Sequence, residues 1–151
     1  MISAVIDFAD VLFAALVVGG MFGVWLILSP ARGVAGTYIT LHQQGIRTLN
    51  TALPAFGAAT VILSIVAAVL ARGESARFPL LIATAVCFAA AGLITRLRNQ
   101  QINATVITWK SDAPPANWKD ITDRWLRWHL IRLLAGVGGL SLLIAAVLRR
   151  G

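Results

Sequence analysis

Four long stretches of this chain contain no charged residue, and that pattern limits what it can fold into. They cover residues 11–28, 48–71, 78–95 and 133–148, and are 18, 24, 18 and 16 residues long. A helix of about 20 apolar residues crosses a hydrocarbon core about 30 Å thick. Three of the runs suffice and the fourth is slightly short. A helix of a soluble bundle needs a polar face, and these runs have none. A hydrophobic content of 58% against 13% charge, with a mean hydropathy of +0.81, agrees. The chain is therefore expected to be all-α: a single domain over residues 1–151, forming an integral membrane, antiparallel four-helix bundle. The expected spans are about 8–28, 49–71, 78–97 and 129–148, in a multi-pass protein of the cell membrane.

The first run could instead be a secretory signal with Ser29-Pro30-Ala31 as its cleavage site. Asp7 and Asp10 make its start acidic, where a signal is basic. Cys87 stands alone inside the third run, so it forms no intrachain disulfide or thiolate cluster and reads as a packing residue. The net charge of +7 fits basic loops beside anionic lipid rather than nucleic acid.

Polar residues at helical spacing flank two of the runs. Gln43, Arg47 and Asn50 stack on one face before the second span, and Asn99, Gln100 and Asn103 do so after the third. Helices two, three and four are thus expected to project beyond the lipid on one side. Asp112-Ala113-Pro114-Pro115 breaks the chain before Asn117 or Asp120 caps the last helix. Small residues should carry the helix contacts, with Ala15, Gly19 and Gly23 on the first helix and Ala135 and Gly139 on the fourth.

An up-and-down bundle brings the projecting segments to one membrane face. His42, Gln43, Arg47, Asn50, Arg96, Asn99, Gln100, Asn103, Arg124, Trp125, His129 and Arg132 all fall there. The opposite end, with Asp7, Asp10, Glu74 and Arg77 among its charges, reads as ordinary. The polar end also carries the excess of Lys and Arg, so the positive-inside rule puts it in the cytoplasm. Trp125, His129 and Arg132 share a helix face at the edge of the apolar run, where ionisable groups normally face a bundle interior or a wet cavity. Trp109, Trp118 and Trp128 read as interfacial anchors, and Arg124 and Arg127 as partners of lipid headgroups.

Asn99, Ile102 and Asn103, then Trp109, then Arg124, Trp125, His129 and Arg132 form a pattern that resembles the anthrone oxygenase-like family of small four-helix membrane proteins. Gln101 stands where that family often has Pro. The resemblance implies oxygenation of a phenolic or anthrone-like aromatic by dioxygen, without a cofactor. Such a substrate has an acidic CH beside a carbonyl, so the site needs a base, an anion stabiliser and an apolar slot. His129 is the candidate base. Arg132 and Asn103 are candidates to hold the oxyanion. Trp125, Asn99, Arg124, Trp109, His42 and Gln43 are the candidate substrate-binding residues.

Other classes remain at this stage. His42 and His129 could be axial ligands of a haem. A metal enzyme is disfavoured because the polar end has no Glu. A transporter usually needs more helices or a repeat. The serious rival is a non-enzymatic membrane subunit that binds lipid or a partner, and self-association into a homo-oligomer stays open.

Overall fold

The computed structural model describes residues 2–149. It is helical throughout its regular structure: α1 (Ile2–Ala31), α2 (Ala35–Leu49), α3 (Ala52–Leu70), α4 (Phe78–Ile94), a π turn (Thr95–Asn99), α5 (Gln100–Val106) and α6 (Trp118–Leu148). Four helical segments are long and apolar enough to cross a membrane: Ile2–Ala31, Ala52–Leu70, Phe78–Val106 and Trp118–Leu148. The protein is a multi-pass membrane protein. In the bundle α1 packs on α3, α3 on α4, α4 on α6 and α6 on α1.

The second span differs from expectation in one respect. Its polar approach is helical, as the Gln43, Arg47 and Asn50 spacing predicts, but it forms a separate helix, α2, interrupted at Asn50 and Thr51. Pro54 explains the break: its ring would clash with the carbonyl of Asn50 in a continuous helix, yet its missing N–H costs nothing in the first turn of α3. Freed from α3, the amphipathic α2 buries Tyr38, Ile39 and His42. At about 1.5 Å per residue, the other three spanning segments reach about 45 Å and overhang the lipid.

Packing separates into two clusters. Ala14, Val17, Met21, Leu81, Phe88 and Leu143 fill the membrane-level core. Leu28, Tyr38, Ile102, Val106, Trp125 and Leu126 build a second core where α2 lies against α1, α5 and α6, with Trp109 and Trp118 packed on it. Those two tryptophans, expected as interfacial anchors, are partly buried against this core.

Small residues do allow close approach, at Gly139 as expected on the last helix but not along the expected stripe of α1. Gly19 and Gly23 have open space where a Cβ would lie, and Ala15 is exposed, so that face points away from the bundle. Tight crossings lie at Gly20, whose Cβ would come 2.6 Å from Leu53, at Gly139, 2.8 Å from Phe88 and 3.0 Å from Cys87, and at Gly136, 2.8 Å from Met21. Cys87 is the packing residue it was expected to be.

The end expected to be ordinary is not. Arg77, just before α4, donates to both carboxylate oxygens of Asp7 at 2.6 and 2.7 Å, with both side chains buried. One turn deeper, the Ser64 hydroxyl donates to Asp10 Oδ2 at 2.7 Å. These contacts tie the start of α1 to the α3–α4 connection. Asn117 is the N-cap of α6, though its side chain makes no capping hydrogen bond.

Candidate functional site

The π turn sets the geometry of the polar end. Thr95, Asn99 and Asn103 are spaced by four, and in an unbroken α-helix that spacing would drift by about 80° over the eight residues. A π turn closes its hydrogen bonds one residue further along the chain, which slows the rotation. All three side chains consequently engage the inward-facing groups of α6. Thr95 Oγ1 accepts from Arg132 Nη1 at 2.9 Å, and Asn99 Nδ2 donates to the Trp125 carbonyl at 3.1 Å. Asn103 Oδ1 accepts from Trp125 Nε1 at 2.7 Å.

Asn103 is the hub. The same Oδ1 lies 3.2 Å from His42 Nε2, while its Nδ2 donates to Asn50 Oδ1 at 3.1 Å. Since an amide oxygen only accepts, His42 Nε2 carries the proton. Its other nitrogen, Nδ1, is buried and has no hydrogen-bond partner among the described residues. Burial pushes the His42 pKa down to about 4, against the supporting Asn103 hydrogen bond and helped by the charge of Arg132, so the imidazole is neutral at physiological pH.

His129 is arranged differently. Nε2 lies 2.9 Å from the Met21 carbonyl, an acceptor, so Nε2 donates. Nδ1 accepts from Arg132, at 2.7 Å from Nη2 and 3.2 Å from Nε. A guanidinium has no acceptor, so His129 is the neutral Nε2–H tautomer with both nitrogens occupied. In this arrangement His129 fixes Arg132, and neither nitrogen is free to take a proton from a ligand.

The rings form a column. Tyr38 meets His42 edge-on with centroids 5.4 Å apart, His42 packs on Trp125 at 4.3 Å, and Trp125 stacks on His129 at 4.7 Å. Trp125 thus contacts both imidazoles.

Arg132 is 9% exposed, and among the described residues no carboxylate pairs with it. Its hydrogen bonds use one N–H on each of its three nitrogens, leaving two of the five donors of a guanidinium unused. It lines a mainly apolar slot of about 460 Å³, walled by Gly57, Val61, Phe88 and Gly92, with Thr95, Arg132, Gln100 and the exposed Arg96 at its polar end. The outer rim, including Ala58, Ile62 and Ala89, is exposed on the outside of the bundle, where lipid lies. A second cavity of about 50 Å³ holds His42, Asn50, Asn103 and Trp125, and shares Leu53, Pro54, Thr95 and Arg132 with the slot.

Of the residues expected at the site, His129, Arg132, Asn103, Trp125, Asn99 and His42 come together. Three do not. Gln43 Nε2 donates to the carbonyls of Val106 and Trp109, each at 2.9 Å, and caps the end of α5. Trp109 packs in the second core. Arg124 is exposed because it precedes Trp125 by one residue, about 100° around α6. Trp128, also off the inward face, lies under Arg98 at 5.0 Å. The residues missed from the sequence are Thr95, which there only ends an apolar run, and the Met21 carbonyl, which no side-chain pattern announces.

Comparison with curated proteins and with solved structures found no match. The family model described as anthrone oxygenase matches residues 45–142. That range holds α3, the π turn, Asn103 and the Trp125, His129 and Arg132 face, and leaves out α1 and His42. The chain belongs to the anthrone oxygenase family.

Proposed function

We propose that the protein oxygenates a flat, phenolic or anthrone-like molecule taken from the bilayer, using dioxygen and no cofactor. The observation that carries this reading is Arg132: the buried guanidinium of a mainly apolar slot, with no carboxylate partner among the described residues. An unpaired buried cation is costly and calls for an anion. The slot volume lies within the usual range for small-molecule pockets, about 300–1,000 Å³. Its apolar walls suit fused rings, and the exposed rim suits lateral entry from lipid.

The chemistry needs little else. An anthrone CH₂ lies between two aryl rings and is conjugated to a carbonyl, so loss of one proton gives an anion with its charge on the oxygen. The two unused N–H groups of Arg132 would hold that oxygen, with Thr95 and His129 keeping the guanidinium in place. Dioxygen adds at the carbon, the hydroperoxide loses water, and a second carbonyl remains. One CH₂ and one O₂ give one C=O and one H₂O. Asn103 supports this arrangement through Trp125 rather than by touching the oxyanion.

Oxygen uptake by the detergent-solubilised protein, screened with phenolic and anthrone-type compounds, tests the reading. Uptake by wild type with one O₂ consumed per quinone formed is the expected result, with Arg132→Lys slower by about a hundred- to a thousand-fold. No uptake with any compound would favour a non-enzymatic membrane subunit.

A further inference from the structure

The two histidines of the chain pack against the same tryptophan ring, yet their hydrogen bonding differs. His129 spends both nitrogens on protein groups, Met21 on one side and Arg132 on the other. His42 spends only Nε2, on Asn103. Its Nδ1 is left buried and unpartnered. Leaving a buried acceptor unmade costs about 1–3 kcal/mol, so such a group calls for a reason.

Three features bear on that reason. His42 lines the smaller cavity, which adjoins the apolar slot across Thr95 and Arg132. The ring is held from several directions: Tyr38 edge-on, Trp125 against its face, and Asn103 at Nε2. Asn103 is itself fixed by Trp125 and Asn50, so the tautomer that leaves the lone pair on Nδ1 is set by groups that cannot exchange roles. The result is an oriented base beside a cavity, with an oxyanion holder on the cavity's other wall.

From these contacts we infer that His42, rather than His129, is the catalytic base of the site, accepting through Nδ1 the proton that leaves the substrate carbon. This rests on the oxygenase reading above. The C–H bond breaks, its electron pair moves into the ring system and onto the oxygen held by Arg132, and the proton forms a new N–H bond at His42 Nδ1. After dioxygen has added, the imidazolium returns its proton to the outer peroxide oxygen, giving a hydroperoxide and neutral His42. Loss of the second C–H proton then forms the new carbonyl as the O–O bond breaks, and the departing hydroxide takes up that proton as water. The low basicity that burial imposes on the free protein is relieved once the oxyanion lies near, because the imidazolium then has a counter-charge. The assignment also gives α2 a purpose: the helix break near Pro54 lets it turn one face onto the end of the bundle.

His42→Gln is the discriminating variant. A glutamine amide can still donate to Asn103 from the position of Nε2, but it has no lone pair able to take a proton at that of Nδ1. The full chain in detergent should bind an anthraquinone, the product-like probe, within about threefold of wild type. Oxygen uptake with a dihydroxyanthrone should fall by about a hundred- to ten-thousand-fold. In His42→Ala, added imidazoles should restore part of the rate, and more strongly basic imidazoles should restore more, which a purely structural role would not produce. His42→Gln turning over like wild type would overturn the assignment while leaving the oxygenase reading intact. Loss of the fold in both variants, or rescue indifferent to the basicity of the added imidazole, would make His42 a structural strut and overturn it as well. A wild-type protein that takes up no oxygen would remove the reading on which it rests.

Discussion

Both ends of this bundle bury an arginine, and they use it in opposite ways. At one end Arg77 meets the Asp7 carboxylate with two short hydrogen bonds and also reaches Glu74, so carboxylates already answer its charge. At the other, Arg132 meets only neutral groups, the Nδ1 of His129 and the hydroxyl of Thr95, and keeps two donors over a cavity. The first arrangement neutralises charge and staples helices. The second preserves a positive charge in an apolar setting, where its field on an incoming anion is strongest. Burial and residue type are alike at the two ends, and what separates structure from chemistry is whether the partner is already present.

The comparison breaks most readily at the closed end. Arg77→Ala leaves Asp7 buried without its cation, and removing one partner of a buried pair typically costs about 3–5 kcal/mol. A large fall in unfolding midpoint is expected, with anthraquinone affinity in the surviving folded fraction unchanged. A folded, fully stable Arg77→Ala would mean that the ion pair is not the staple described here.

A second test uses pH. The His42 pKa is lowered from 6.5 to about 4, with Tyr38, Trp125, Asn103, His129 and Arg132 around it. Between those values the unfolded chain binds the proton and the folded one does not, so stability falls as pH drops from 6.5 towards 4. Below 4 that contribution is fully lost, and above 6.5 it is fully present. His42→Gln should flatten the slope of the unfolding midpoint in that window. An unchanged slope would place the titration elsewhere.

The smallest effect on stability should come from the slot itself. Gly92 lines it, and a Cβ there meets nothing within 4 Å. Gly92→Leu should therefore leave the unfolding midpoint within about a degree or two of wild type while weakening anthraquinone binding by about tenfold or more. Equal affinity in the variant would show that the aromatic lies elsewhere.

Much of this architecture was legible because lipid imposes it. Runs without charge near the bilayer length force helices, and the up-and-down order then gathers the polar residues. Periodicity also brought Trp125, His129 and Arg132 onto one face correctly. It failed where a local device overrides the period: nothing in Thr95-Arg96-Leu97-Arg98-Asn99 announces a π turn, so Thr95 was not expected to face Arg132. It failed again for Arg124, which faces outward, and for Trp109 and Gln43, which turn to the second core and the end of α5 rather than to the cavity. The hydrogen bonding of the two histidines was not legible at all. Only the hydrogen-bond partners distinguish an imidazole that is spent from one that is free.

The central claim, that the unpaired charge of Arg132 is there for an anion, is tested most directly by the charge of a bound ligand. A dihydroxyanthrone would be added without oxygen to wild type and to Arg132→Met, at a pH where the free compound is neutral, and its absorbance followed. The account predicts that wild type binds the anion, with the spectrum of the deprotonated chromophore, and that Arg132→Met shows only the neutral form or loses binding at least about tenfold. A neutral ligand on the wild-type protein, or the same anion bound equally well by Arg132→Met, would contradict it.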